Sequence, residues 1–214
     1  MPWTRPAVPI TPPEYYTEYL NRDSTERHAR AKLQSMSQAL THRLALRDDI
    51  ATLRPLMQAA IGELLKPFLP PEAVAASFSI MGLDTQLIDD GTYFVIACGG
   101  ATAGCGGWSR RATLFGGDHS AGRDAALLDP AKDAARVRAM YTHPDFTRRG
   151  VGRLVLDLCE AAAAQDGFRR VELAATLAGE PLYRACGYSV IEAFESDTPS
   201  GVRVPLIRMG KTIA

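Results

Sequence analysis

The stretch Pro144–Arg153, with the sequence PDFTRRGVGR, concentrates glycine and basic residues. Residues 135–142 before it have a strand-like pattern, and residues 150–165 after it have the apolar spacing of an amphipathic helix. The first amides of a helix have no partner within it and lie at the positive end of its dipole. Gly150 and Gly152 would let a ligand approach the backbone closely. The stretch therefore predicts a site for a phosphate or diphosphate group.

Two familiar phosphate-binding motifs do not account for this stretch. A P-loop requires Gly, four residues and then Gly-Lys-Ser/Thr, a string that the sequence lacks. A dinucleotide-binding fingerprint requires three spaced glycines, and the third position is occupied by Val155. Glu172 stands at about the right distance for the acidic residue of that fingerprint, but a single matching residue is weak support.

The segment Thr147–Gly152 instead resembles motif A of the GNAT superfamily of acyl-CoA-dependent N-acetyltransferases, which reads Gln/Arg-x-x-Gly-x-Gly/Ala. Both glycines match, whereas Thr147 departs from the first position. Upstream, Tyr141–Pro144 resembles the end of the strand that precedes this motif in the family. Downstream, Pro181–Tyr188 resembles the family's Tyr-x-x-x-Gly-Phe/Tyr segment. The resemblance covers about residues 43–211 and is strongest over residues 135–190.

The resemblance implies that acetyl-CoA is the acyl-donor substrate, and the spacing of the cysteines and histidines separately predicts no metal site. The amides of Arg149 to Arg153 would bind the diphosphate, and the strand end would pair with the pantetheine arm. A backbone N–H of Thr142 or a neighbour would stabilise the oxyanion. The candidate donor-binding residues are Met140, Tyr141, Thr142, Arg148, Arg149, Gly150, Val151, Gly152 and Arg153.

Tyr183 matches the family's proposed general acid. A thiol with a pKa near ~8.5 and a phenol with one near ~10 make full proton transfer to the thiolate unfavourable by roughly 2 kcal/mol. A hydrogen bond from Tyr183 to the sulfur is the milder role, and a Tyr that only fills space between helix and sheet is the alternative. No general base is assigned, because water competes equally with the scattered candidates. These candidates are His143, Asp89, Asp90 and Glu192.

Composition excludes several other classes of protein. The 214-residue chain carries 24 basic and 24 acidic residues, whereas nucleic-acid binders usually have a basic excess. Its four cysteines form no CxxC pair and no Cys/His metal spacing, which indicates free thiols in a reducing compartment. No apolar run reaches membrane-spanning length and no signal-peptide pattern begins the sequence, so a cytoplasmic location is expected.

The order of predicted elements indicates an α/β fold of the mixed α+β type, with a mostly antiparallel GNAT-like sheet of about six to seven strands flanked by helices on both faces. A short strand is predicted to begin at Leu44, and a helix capped by Asp48 or Asp49 to run to about Leu65. The other predicted strands are 92–98, 102–110, 135–142, 171–175, 188–194 and 202–211, and the other predicted helices are 72–81, 150–165 and 180–187.

Three segments carry separate expectations. Residues 1–40 form a predicted N-terminal extension, partly disordered or helical, ahead of an N-acetyltransferase domain at 41–214. The glycines of residues 104–107 predict a bulge or a close backbone approach in their strand. Residues 113–134 form an insertion that is either a surface loop or a lid over the acceptor. Trp108 is read as a core residue in preference to a substrate contact, and Cys186 as a small buried one.

Three functions remain open from the sequence. The leading one transfers an acetyl group from acetyl-CoA to a primary amine of a small molecule or peptide, by direct attack on the thioester. The second uses a longer acyl-CoA, and the third is a non-catalytic module that binds CoA, acyl-CoA or a partner. The acceptor's determinants are expected within residues 66–92 and 108–134. A homodimer is a further possibility, whereas nucleic acid and membrane are not expected partners.

Overall fold

The computed structural model describes residues 39–213, so the predicted N-terminal extension falls almost wholly outside the described residues. The strands are β1 (Leu40–Leu44), β2 (Tyr93–Cys98), β3 (Ala101–Ser109), β4 (Ala135–Thr142), β5 (Arg170–Ala175), β6 (Ser189–Ser196) and β7 (Val204–Thr212). The helices are α1 (Ile50–Leu64), α2 (Pro71–Ser77), α3 (Thr85–Asp89), α4 (Val151–Gln165) and α5 (Glu180–Ala185). Short 3₁₀ turns occupy Arg47–Asp49 and Pro144–Phe146.

The seven strands form one sheet in the order β1-β2-β3-β4-β5-β7-β6. Only β4 and β5 are parallel neighbours, and every other pair is antiparallel. One face packs against α4 around Leu156 and Val137, and the other packs against α1 around Leu53 and Val95. The predicted mixed sheet with helices on both faces is therefore confirmed.

The glycines of β3 allow α4 to lie close against the sheet. A Cβ on Gly104 would lie 2.4 Å from Cγ1 of Val151, and one on Gly106 would lie 2.6 Å from Cγ1 of Val155. The register of β3 against β4 also shifts between Cys105 and Gly107. The close approach predicted for this strand is thus present, whereas the extra residue of the register shift belongs to β4, because Arg138 to Tyr141 spans one residue more than Cys105 to Gly107.

Strand β4 bulges at the point where the site is built. Ala139 has a φ of 51°, in a region that residues with a Cβ rarely adopt. Its carbonyl oxygen accepts a hydrogen bond of 2.6 Å from the hydroxyl of Tyr93, whose side chain is buried. The bulge redirects the strand end, residues 140–142, away from its earlier course.

The two parallel strands separate shortly after they begin. Pairing between β4 and β5 is confined to Ala135 with Val171 and Arg136 with Glu172. At this closed end the carboxylate of Glu172 accepts hydrogen bonds from Arg136 and from Arg208 of β7. Beyond it, β5 continues to pair with β7 alone, which leaves an opening between β4 and β5 within the sheet.

Local details differ from the sequence predictions at the N-terminal side. Leu44 ends a strand, where it was predicted to begin one. The Asp49 carboxylate does not cap α1, because it accepts hydrogen bonds from the Leu46 amide (2.7 Å) and from Arg43 (2.6 and 2.7 Å). Helix α2 ends at Ser77, before its predicted end, and the chain then turns into the unpredicted helix α3.

Candidate active site

The predicted diphosphate site is a sharp turn that opens directly into α4. Gly150 is the N-terminal cap residue, with a φ of 85°, and no side chain caps the helix. Arg148 also has a positive φ, 62°. The amides of Val151, Gly152 and Arg153 have no acceptor within the helix and point outward from its positive end. The turn thus presents uncapped donors to a ligand, as an anion site requires.

The basic side chains of the turn are exposed and free of carboxylates. Arg148, Arg149 and Arg153 are all solvent-exposed, and none forms a salt bridge with any residue of 39–213. The Arg149 guanidinium lies 5.3 Å from the centre of the Phe146 ring. Arg153 donates a long hydrogen bond of 3.4 Å to the carbonyl of Ala185. Their charge is therefore available to an anion at the helix start.

Thr147, the residue that departs from the family motif, has a local role. Its hydroxyl donates a hydrogen bond of 3.1 Å to the carbonyl of Pro144. The His143 side chain accepts a 3.2 Å hydrogen bond from the Asp145 amide, which begins the same 3₁₀ turn. Both side chains hold the loop that leads from β4 into α4.

A cavity of about 90 Å³ lies where β4 and β5 separate. Its lining includes Met140 and Tyr141 of the predicted donor-binding strand and Tyr183 of α5. Thr142 does not line it and pairs with Gly104 of β3. The lining residues come from both faces of the sheet. The cavity therefore passes through the sheet where β4 and β5 no longer pair with each other.

Tyr183, the predicted catalytic residue, lines this cavity from α5. Its hydroxyl lies 3.9 Å from the sulfur of Met140, and its ring centre lies 5.9 Å from that of Tyr188. Burial raises the pKa of Tyr183 above its usual value, with smaller contributions from Cys159 and Cys186. The phenol is therefore neutral over the ordinary pH range and keeps a proton that it can donate in a hydrogen bond.

None of the candidate bases lies at this cavity. Asp89 and Asp90 each form a salt bridge with an arginine, at 2.6 and 2.8 Å. Glu192 is exposed on β6, and His143 belongs to the loop before α4. Within residues 39–213 no carboxylate and no imidazole lines the cavity, which agrees with leaving the base unassigned.

The sequence analysis missed a buried ion pair at the same cavity. Arg138 is 4% exposed, and its Nη1 lies 2.6 Å from Oδ2 of Asp84, which is fully buried. Its Nη2 donates a 2.8 Å hydrogen bond to the carbonyl of Gly116 in the insertion. Asp84 also accepts a 2.7 Å hydrogen bond from Arg123. A charged residue within an otherwise buried strand was the signal that could have revealed this pair.

A second cavity, of about 460 Å³, lies between α1 and the insertion. Arg54 and Met57 of α1 line it together with His119 of the insertion, and Met81 lines both cavities. The Nε2 of His119 lies 2.9 Å from the carbonyl of Phe78, so that nitrogen carries the proton. The first cavity is thus flanked by a larger space on the α1 side of the sheet.

The remaining features concern Trp108, the cysteines, metal sites and membrane-spanning helices. Trp108 is 4% exposed and packs edge-on against Phe168, as expected of a core residue. Cys105 and Cys159 are buried free thiols, and Cys186 is a half-buried one. Residues 39–213 contain no group of three or more His, Cys, Asp or Glu side chains placed to hold a metal ion. No helix among these residues is both long and apolar enough to span a bilayer.

Comparison with known families decides the identity of the fold and its general activity. Residues 59–188 match the model of the acetyltransferase (GNAT) family, which is more than half of the chain. The chain belongs to this family. It is therefore an acyltransferase with the GNAT fold, as its three motif segments implied.

Solved structures of other proteins share this fold. A GCN5-related N-acetyltransferase from Rhodopseudomonas palustris is 19% identical, with a TM-score of 0.59 over 80% of this chain and 94% of that one. YncA from Salmonella typhimurium, whose structure contains its cofactor acetyl-CoA, is 17% identical, with a TM-score of 0.54 over 82% and 95%.

A third structure is the PaiA N-acetyltransferase from Thermoplasma acidophilum, in complex with coenzyme A. It is 12% identical to this GNAT chain, with a TM-score of 0.54 over 81% of this chain and 99% of that one. At these identities the likeness extends to the fold alone. No curated protein matches the sequence significantly.

Proposed function

We propose that the protein transfers the acetyl group of acetyl-CoA to a primary amine of a small molecule or peptide, by direct attack of the amine on the thioester. The observation that carries this proposal is the uncapped, positively charged start of α4 beside a cavity that crosses the sheet and holds Tyr183. The donor would bind on the α4 and α5 face, and the acceptor would approach from the opposite face.

The turn fits a diphosphate. Two kinds of group favour negative charge at this place. They are the outward amides of residues 151–153 and the side chains of Arg148, Arg149 and Arg153, which form no salt bridge within residues 39–213. Leu182 packs where a Cβ on Gly152 would lie, at 2.6 Å, so α5 and the start of α4 form one continuous surface beside the turn. This surface leads from the turn towards Tyr183.

The strand end would orient the thioester. Residues 140–142 follow the bulge and have no β5 partner, so their outer edge is free to pair with the pantetheine amides. A backbone N–H there, that of Thr142 or a neighbour, would stabilise the oxyanion. This arrangement supplies a hydrogen-bond donor that is already in position and need not reorganise during the reaction.

The chain's own groups then account for the remaining step. The acceptor nitrogen bonds to the acetyl carbon as the carbon–sulfur bond breaks, and the amine loses its proton to water. The neutral phenol of Tyr183 donates a hydrogen bond to the departing thiolate sulfur. This proposal is supported by the place of the Tyr183 hydroxyl at the cavity, 3.9 Å from the sulfur of Met140.

Release of free thiol from acetyl-CoA, measured against a panel of amines, tests this function. We expect release that depends on both amine and protein, together with acetyl-CoA binding measured by calorimetry. Binding of acetyl-CoA without release of thiol for any amine would favour the non-catalytic module. This alternative is supported by the departure from the family motif at Thr147 and by the unassigned general base. Stronger thermal stabilisation by a longer acyl-CoA would favour the second alternative, although a cavity of about 90 Å³ suits a short acyl group.

Several expectations lie beyond this test. The boundary of the domain at residue 41, a homodimer and a cytoplasmic location remain predictions from the sequence. The same holds for the roles assigned to individual site residues.

A further inference from the structure

The acceptor side of the cavity is lined by apolar side chains, and it points to a class of substrate. Resting on the proposed acetyl transfer, we propose that the acceptor is a primary amine with a small apolar substituent, and that Phe115 sets the size of that substituent. The insertion at 113–134 is then a fixed wall of the acceptor pocket.

Apolar side chains form the acceptor-side wall. Ile80 and Leu206 are buried, and Met81, Leu114 and Phe115 are partly buried beside them. An alkyl or aryl substituent would gain free energy by leaving water against this wall, in proportion to the apolar surface that it buries. A strongly hydrated substituent would gain nothing there.

The charge at the wall is already neutralised. Among residues 39–213, Arg138 is the only charged side chain that lines the cavity, and its guanidinium is bound to Asp84 and to the Gly116 carbonyl. The side chain of Arg138 is only 2% exposed, which leaves little of it open to an acceptor's carboxylate. A second ammonium group on the acceptor would find no carboxylate within this cavity and would be desolvated there without a partner. Polyamines and free amino acids are therefore disfavoured.

Hydrogen bonds fix the insertion in place beside the cavity. The Asp118 amide donates to the carbonyl of Leu83 (2.8 Å), and the Asp118 carboxylate accepts from the Thr85 amide (2.9 Å). The Ser120 hydroxyl donates a 3.3 Å hydrogen bond to the carbonyl of Ser79. These contacts join the insertion to the segment that precedes and begins α3, and the Arg138–Gly116 hydrogen bond joins it to β4. A segment held at several points acts as a wall, whereas a lid must move.

Phe115 is the large side chain that this wall presents. Its ring centre lies 5.8 Å from that of Phe194 on β6, and it packs with Ile80 and Leu206. This packing holds the ring at the cavity edge, where it limits the room for an acceptor substituent. Replacement by alanine should enlarge the acceptor pocket without disturbing the donor site.

The test compares the parent with Phe115→Ala and with a control, Leu127→Ala, which shortens a 68% exposed apolar residue of the same insertion. Values of kcat/KM are measured for propylamine, butylamine, phenethylamine, spermidine and glycine. For the parent we expect the alkylamines to exceed spermidine and glycine at least tenfold. For Phe115→Ala we expect the ratio of phenethylamine to propylamine to rise at least tenfold, with an unchanged acetyl-CoA Kd. Leu127→Ala should match the parent.

A parent preference for spermidine or glycine would overturn the apolar class, and an unchanged amine ratio in Phe115→Ala would overturn the role of Phe115. Should that variant not fold, Phe115→Leu is measured with the same series. Failure of every amine to release CoA would instead overturn the proposed transfer. Calorimetric binding of the same amines to protein loaded with desulfo-CoA then still ranks them, and a ranking without apolar preference would reject this inference separately.

Discussion

The turn at residues 146–153 and the wall formed by residues 80–83 and 113–119 would serve the two substrates by opposite means. The turn is built from consecutive residues and leaves its amides and arginines free for a ligand. The wall is assembled from segments distant in sequence, and the buried charges behind it, Asp84 and Arg138, form an ion pair with 2.6 Å between Oδ2 and Nη1. Recognition of the donor therefore depends on exposed charge, and recognition of the acceptor on shape.

This difference makes the two sites separable by experiment. Changes to the turn should alter acetyl-CoA binding and leave acceptor preference alone, whereas changes to the wall should do the reverse. Each variant below is designed to break that separation or to define it more closely.

Reversal of charge at the turn should have the largest effect. Arg148→Glu combined with Arg149→Glu replaces attraction for the diphosphate by repulsion, and we expect the acetyl-CoA Kd to rise about 30-fold. Both side chains are exposed, so the melting temperature should be unchanged. Calorimetry at low ionic strength is the measurement, since salt screens exposed charges.

The matched control reverses two exposed cations away from the turn, with Lys66→Glu and Arg203→Glu. It changes the net charge of the protein by the same amount. An equal loss of affinity in this control would show that the overall field of the protein binds the donor, and that the turn has no special part.

Removal of the Tyr183 hydroxyl should have the next largest effect. Tyr183→Phe removes the hydrogen bond to the departing sulfur, and we expect kcat to fall tenfold or more, on the order of 1.4 kcal/mol, at unchanged acetyl-CoA affinity. Tyr188→Phe is the control, because the Tyr188 ring is only 5.9 Å away but does not line the cavity. A kcat unchanged in Tyr183→Phe would leave the residue a purely structural role.

Removal of Arg123, which links the insertion to Asp84, should have a moderate effect. Arg123→Ala removes a charge-assisted hydrogen bond to buried Asp84, which should lower the free energy of unfolding by about 1–3 kcal/mol. The acceptor KM should rise about threefold, and the acetyl-CoA Kd should stay constant because the turn is untouched. Lys132→Ala, an exposed residue of the same insertion, should change none of these. Weaker acetyl-CoA binding in Arg123→Ala would show that the two sites are coupled.

The smallest of these effects should be that of Tyr183 on the pH dependence of kcat/KM. Burial raises the pKa of Tyr183, so its phenol stays protonated, and able to donate, as pH rises to at least 10. We expect kcat/KM to rise with pH as the acceptor amine loses its proton, without a falling limb below pH 10. A falling limb between pH 8 and 10 that disappears in Tyr183→Phe would contradict this assignment.

Sequence reasoning succeeded where local pattern decides structure. Strand β4 has the predicted bounds, 135–142, because its β pattern is dense and Pro144 interrupts the chain shortly afterwards. Helix α4 starts one residue after its predicted start, and its apolar stripe packs on the sheet as expected. The turn between these two elements was predictable for the same reason, since residues adjacent in the sequence determine its conformation.

The acceptor-side wall could not be predicted because partners distant in the chain determine it. Nothing adjacent to Arg138 indicates that Asp84 lies against it, or that the Gly116 carbonyl completes its hydrogen bonds. The positive φ of Ala139 has no local signal either, since alanine does not favour it; the contact with Tyr93 supports it. Asp49 failed as a helix cap because the Leu46 amide and Arg43 compete for its carboxylate.

The central claim is that the backbone amides at the start of α4 hold the diphosphate of CoA. Titration of ¹⁵N-labelled protein with acetyl-CoA, followed by amide NMR, tests it directly. The account predicts that the resonances of Gly150, Val151, Gly152 and Arg153 shift together and saturate at the calorimetric Kd. Saturable binding that leaves these four resonances unmoved would contradict the account.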